Sequence, residues 1–255
     1  MSVLHRTVRY SGRPVITGGV IVAVTAMFLL LPSSANAHSG PPPVPGTLWT
    51  TWNFEPITVL VLAIALSVYV QGIRKLWGRA GRNRGIRYAH VAAGLGGFLA
   101  LFIALISPLD PLSSALYSAH MLQHMLLIAI APLLFVLAGM SSSTVWALPE
   151  EWRRRLPRIW RGASGVRSVW KTIARPLPAL ALHSLVFWAW HVPMFYDAAI
   201  RNELIHIAEH LTMFGTALLF WWVVVQRGRQ AGMSYGIGLL MVFGVVIQKT
   251  ALGGL

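Results

Sequence analysis

The chain has 255 residues, is 56% hydrophobic and only 11% charged, and carries a formal net charge of +14. Soluble domains carry about 25% charged residues, so this composition excludes an ordinary soluble domain and points to an integral membrane protein. The absence of cysteine rules out disulfides, thiolate metal sites and C-x-x-C redox chemistry, so any metal must be held by His, Met, carboxylate or backbone.

In chain order, Arg6, Arg9 and Arg13 precede an apolar stretch from Val15 to Leu31, and Ala35-Asn-Ala37 follows. A basic start, an apolar core and an A-x-A site predict a signal peptide over 1–37, with a retained helix as the alternative. Cleavage there would make His38 the mature N-terminus, offering an amine and an imidazole together to copper. Residues 38–54 are rich in Pro and Gly, lack Lys and Arg, and read as an extended extracytoplasmic segment. Six further apolar runs follow, near 55–72, 89–107, 117–139, 177–195, 205–226 and 233–255. Each is close to the length needed to cross about 30 Å of hydrocarbon. The expected fold is therefore all-α: a polytopic membrane helix bundle over 55–255, with about six spans after the signal peptide or a seventh helix.

The basic residues fix an orientation. Three lie in 1–14, six in the 73–90 connection, eight in the 140–176 connection and two in 227–232, leaving only Arg201 and Lys249 elsewhere. Alternate connections hold nearly all the positive charge, as cytoplasmic loops do, so the charge calls for a lipid bilayer and not for nucleic acid as partner. The unprocessed N-terminus is then cytoplasmic, and residues 32–54 lie outside. Within the second basic loop, Trp152, Leu156, Ile159 and Trp160 share one side of a helical projection, with arginines on the other. An interfacial helix on anionic lipid and a solvated basic loop are both consistent with that pattern.

This topology brings five histidines to the extracytoplasmic side. His120 and His124 open the third run, His191 closes the fourth, and His206 and His210 open the fifth. Residues four apart lie about 40° apart around a helix and one turn apart along it, so each pair shares a face. Placing such pairs in lipid is costly without a function, and imidazoles from three helices can converge on one or two metal ions. Met121, Met125, Met194 and Met213 lie at similar depth; thioether with imidazole suits copper, especially Cu(I). Glu209 adds a hard ligand or a group that orients a histidine. His183 and His90 are expected to serve structure, and Asp110 to cap a helix or touch the site.

These residues carry a resemblance. Ser118-Ala-His-Met-Leu-Gln-His-Met-Leu-Leu127 with Ala131-Pro-Leu-Leu resembles the signature of the CtaG-type (caa-oxidase type) membrane proteins of bacterial cytochrome c oxidase assembly. Ser107-Pro-Leu-Asp110, Trp190-His-Val-Pro193, Tyr196-Asp-Ala-Ala199, His206-Ile-Ala-Glu-His210 and Phe220-Trp-Trp222 match in the same order, over roughly 55–255. The resemblance implies a non-enzymatic assembly factor that handles copper, with a cytochrome c oxidase subunit as partner and His120, His124, His191, His206 and His210 as the functional histidines. Family members usually continue past Leu255 into another span with an acidic-glutamine motif; the resemblance therefore implies a truncated or short variant.

Three other readings compete. A zinc-dependent intramembrane hydrolase would use clustered histidines with Glu209 or Asp110 as base, and Ser114 and Ser118 precede His120. A b-type haem protein needs one axial His from each side, which makes an i,i+4 pair redundant. A copper transport or resistance protein needs a polar path across the membrane, for which only His183 and Gln226 offer themselves.

Overall fold

The structure is a computed structural model that describes residues 50–113, 115–227 and 234–253. The signal-peptide reading of 1–37, His38 and most of the Pro/Gly-rich segment lie outside these residues, as does Ser114. Every regular element among the described residues is a helix. Helix α1 is Pro56–Ala80, opened by a proline whose fixed φ suits the first helical turn. A tight turn leads to α2, Tyr88–Leu105, and the short α3, Leu109–Ser113. Helix α4 spans Tyr117–Leu137 and is interrupted by a π-helical turn at Leu126–Ile130. Three helices follow: α5 (Met140–Ala147), α6 (Glu150–Gly162) and α7 (Ser164–Ile173). Then come α8 (Pro176–Trp190), α9 (Pro193–Arg201), α10 (Glu203–Trp222, continuing as a π turn Val223–Arg227) and α11 (Tyr235–Gly253).

Five of these helices are long and apolar enough to cross a membrane: Pro56–Ala80, Tyr88–Leu105, Tyr117–Leu137, Leu204–Val225 and Tyr235–Leu252. The run expected over 177–195 differs. Its helix has 15 residues. At 1.5 Å per residue such a helix rises about 22 Å, short of a full hydrocarbon core. Pro193 is the reason: it opens a new helix and holds Val192 in extended backbone, φ −67° and ψ 129°. The basic connections also differ from plain loops. Helix α1 runs on through Arg74, Lys75 and Arg79, and 140–176 is largely the three helices α5 to α7.

Between helices already in lipid there is little hydrophobic driving force, so close packing must hold the bundle. Helix α1 lies on α5 at Gly72, where an added Cβ would fall 1.9 Å from the Ser143 carbonyl oxygen. Gly94 of α2 backs in the same way onto the Tyr69 ring, whose hydroxyl donates to the His90 carbonyl at 3.1 Å. One apolar cluster joins α1, α2 and α4 through Tyr69, Phe98 and Phe135 and extends to Phe187 and Met213. A second joins α7, α8, α10 and α11 around Trp170, Phe220, Trp222 and Met241. The π turn in α4 bridges the two halves, since Trp221 Nε1–H donates to the Ile128 carbonyl at 3.1 Å.

Candidate metal centre

The buried face of α4 at its N-terminal end is His120, Gln123 and His124. Asn202 caps α10 by accepting the Ile205 N–H at 3.3 Å. That start places His206, Glu209 and His210 on successive turns beside α4. Helix α8 ends at His191, released by the extended backbone before Pro193.

These five histidines form one connected group. Ring centroids are 4.2 Å apart for His120 and His124 and 4.3 Å for His206 and His210. His124 links the elements, 5.6 Å from His210 and 6.1 Å from His191. Its Nε2 lies 3.7 Å from Glu209 Oε1, with both side chains buried. Ligand atoms of His120, His124 and Glu209 all fall within 4.8 Å of one another. Metal–ligand bonds to imidazole and carboxylate are about 2.0–2.2 Å, so a small closure would let one ion take all three. His120 Nε2 and both ring nitrogens of His124 are buried without a hydrogen-bond partner. Buried polar atoms are nearly always paired, and these have the donor chemistry a metal requires. His191 Nδ1 lies 2.7 Å from the Phe187 carbonyl and must be its donor, which leaves Nε2 as the lone-pair nitrogen.

The other candidates are placed differently. Met121 and Met125 follow His120 and His124 by one residue, about 100° around the helix. Met125 is exposed, and so is Met194, while Met213 is buried one turn beyond Glu209 in the apolar core. Ser118 is exposed and lies on the side of α4 away from His120, so it offers the cluster no nucleophile. His183 packs on Phe220 with its Nδ1 3.3 Å from Thr216 Oγ1, and His90 Nδ1 accepts the Arg87 N–H at 3.3 Å. Both have structural partners.

Asp110 fastens the site from behind. Its carboxylate accepts from Asn53 Nδ2 and from Gln123 Nε2, each at 2.7 Å, and Gln123 also donates to the Ala104 carbonyl at 2.8 Å. The residue between the two histidines is thus tied to α2, α3 and the approach to α1. Asp110→Ala is expected to cost about 2 kcal/mol by stranding these donors, with Asp110→Asn costing less. Thermal unfolding in detergent checks this; an unchanged midpoint would remove Asp110 from the support of α4.

Two contributors carry little signal in sequence. Gln123 is legible only as sharing the His120 face at i+3. Tyr196 of α9 sits edge-on to the His120 ring at 5.8 Å, although nothing in its spacing announces a site. Burial, with the Tyr117 phenol and the Glu209 and Asp197 carboxyls nearby, raises the Tyr196 phenol above its ordinary value. At neutral pH it is an O–H donor beside the histidines.

The sequence model described as cytochrome c oxidase caa3 assembly factor (Caa3_CtaG) matches residues 67–255, which include all five histidines and Glu209. The chain belongs to the cytochrome c oxidase caa3 assembly factor family. Among curated relatives of this family member, an uncharacterised Mycobacterium leprae protein is 28% identical over 192 residues, covering 72% of this chain and 28% of the relative. Uncharacterised proteins of Mycobacterium bovis and Mycobacterium tuberculosis are each 26% identical over 190 residues, with the same coverage. The chain therefore spans 28% of the length of the curated relatives it matches. No solved structure matches it.

Proposed function

We propose that the chain serves in assembly of a bacterial cytochrome c oxidase, taking Cu(I) as cargo at the extracytoplasmic face and presenting it to an oxidase subunit. His120, His124 and Glu209 form the first binding set, with His191, His206 and His210 as neighbouring donors. The observation that carries this reading is the buried imidazole pair of His120 and His124, left without hydrogen bonds beside Glu209. Family membership supports the process, and the uneven distribution of Lys and Arg supports the orientation. Donors spread over three helices suit a site that must release its ion, because a small relative movement of α4, α8 and α10 changes how many can reach it. A metallohydrolase at this cluster would use a metal-bound water as nucleophile with Glu209 as base, and a zinc titration separates that reading from delivery.

The test is an anaerobic Cu(I) competition titration on detergent-purified protein, run beside a Zn²⁺ titration. Near-stoichiometric Cu(I) binding is the expected result. Tight zinc with no Cu(I) affinity would overturn it in favour of a metallohydrolase. In cells, deletion should lower the copper content of the oxidase; a fully metallated oxidase in the deletion strain would count against the assembly role.

A further inference from the structure

The end of the bundle opposite the histidines carries a second surface. In α6, Trp152, Leu156, Ile159 and Trp160 fall within about 100° around the axis, and Arg154, Arg155, Arg158 and Arg161 within about 120° on the other side. In α7, Val166, Val169, Trp170 and Ile173 form a similar stripe, with Arg167 and Lys171 beyond it.

Three contacts fix the level of these helices. Trp170 packs on Trp222, at the end of α10, with ring centroids 5.6 Å apart. Arg79, in the last turn of α1, reaches Glu150 at 3.7 Å, and the Arg153 guanidinium lies 4.5 Å over the Trp146 ring. Helices α6 and α7 therefore sit beside the ends of α1 and α10 remote from the histidines, where a membrane-crossing helix meets the bilayer boundary. The bundle does not use up their apolar stripes. Trp152 is 51% exposed, Ile159 57%, Val166 55% and Val169 60%. In water this surface would be a liability; at a lipid boundary it is an insertion face. The charge balance is one-sided: eight Lys or Arg between residues 149 and 176 face two carboxylates, and Glu150 already holds Arg154 at 2.6 Å. Arg155 and Arg158 have no hydrogen bond or ion pair within the described residues.

We propose that α6 and α7 form an in-plane anchor that binds anionic phospholipid, with Trp152 and Ile159 in the acyl boundary and Arg155 and Arg158 engaging headgroup phosphates. Arginine stems long enough to bend back towards the lipid make this geometry accessible. The anchor is independent of what the histidines bind.

Two measurements on the full chain test it. The chain has no cysteine, so single nitroxide labels can be placed at Ile159→Cys and Arg158→Cys in liposomes containing phosphatidylglycerol. The label at 159 should collide mainly with dissolved oxygen and the label at 158 with a water-soluble nickel chelate. Equal nickel accessibility at both positions would overturn the anchor and leave the face to a soluble partner. Separately, native mass spectrometry of detergent-purified protein should show retention of phosphatidylglycerol over phosphatidylcholine by at least about fivefold, falling towards parity in Arg155→Gln/Arg158→Gln. Equal retention of the two lipids, or a preference unchanged in that variant, would overturn the role of the arginines.

Discussion

Removing both α4 histidines, in His120→Ala/His124→Ala, is expected to abolish tight Cu(I) binding, while His183→Gln should bind like the parent. Loss of a group that merely orients a ligand costs about 10–100-fold in metal affinity, and losing two ligands should exceed that range. His124 is the more important single position. It touches His120, His191, His210 and Glu209, and both of its ring nitrogens are without hydrogen bonds. Its replacement also removes the group through which the α8 and α10 donors meet α4. His183 is a stringent control because it is an equally buried histidine of the same bundle, but its Nδ1 is occupied by Thr216 Oγ1. Gln at that position keeps a polar group for the threonine. Competition with a Cu(I) indicator reads both variants. Parent-like binding in the double variant would place the copper site elsewhere and leave the α4 histidines a structural or docking role.

The second large effect is on folding. Gly72→Val should destabilise the bundle by about 3 kcal/mol, the upper end of what overpacking costs. The atom in the way is the Ser143 carbonyl oxygen, part of a backbone that cannot swing aside as a flexible side chain would. Helices α1 and α5 must separate, and the Lys75 Nζ hydrogen bond to the Ala147 carbonyl, 2.6 Å long, would be lost with them. Gly78 lies on the same helix with nothing within 4 Å of a Cβ built there. Gly78→Ala should therefore gain up to about 1 kcal/mol from helix propensity alone. Thermal unfolding in one detergent compares the two. Similar midpoints would show that the α1–α5 crossing can relax.

Much of this was legible in the sequence, for specific reasons. Apolar length identifies α1, α2, α4, α10 and α11 because a helix is the direct way to satisfy backbone polar groups in lipid. The two i,i+4 pairs predict shared faces, and alternating basic segments predict that both pairs and His191 meet at one end, where the structure groups them. Pro193 shortened the fourth run: hydropathy counts apolar residues without regard to where a proline breaks the helix. Methionine spacing is the weaker guide for a geometric reason, since a residue beside a histidine in sequence points about 100° away on a helix. Tyr196, Asp110 and Asn53 reach the site by chain reversal, and no periodicity encodes which loop residue will lie behind which helix.

The π turn in α4 has a consequence for how the histidines are aimed. The buried positions His120, His124, Ile128, Pro132 and Val136 recur every four residues, so in a uniform α-helix each would advance about 40° and the set about 160° around the axis, and only one half could face its neighbours. At Leu126–Ile130 the backbone winds more slowly, with the Ala131 N–H reaching the Leu126 carbonyl, and the accumulated phase error is discharged there. The upper and lower halves of α4 thus keep separate bearings. The compass setting of the imidazoles is written in five aliphatic residues that never touch an ion, and it is locked by the Trp221 indole on the Ile128 carbonyl.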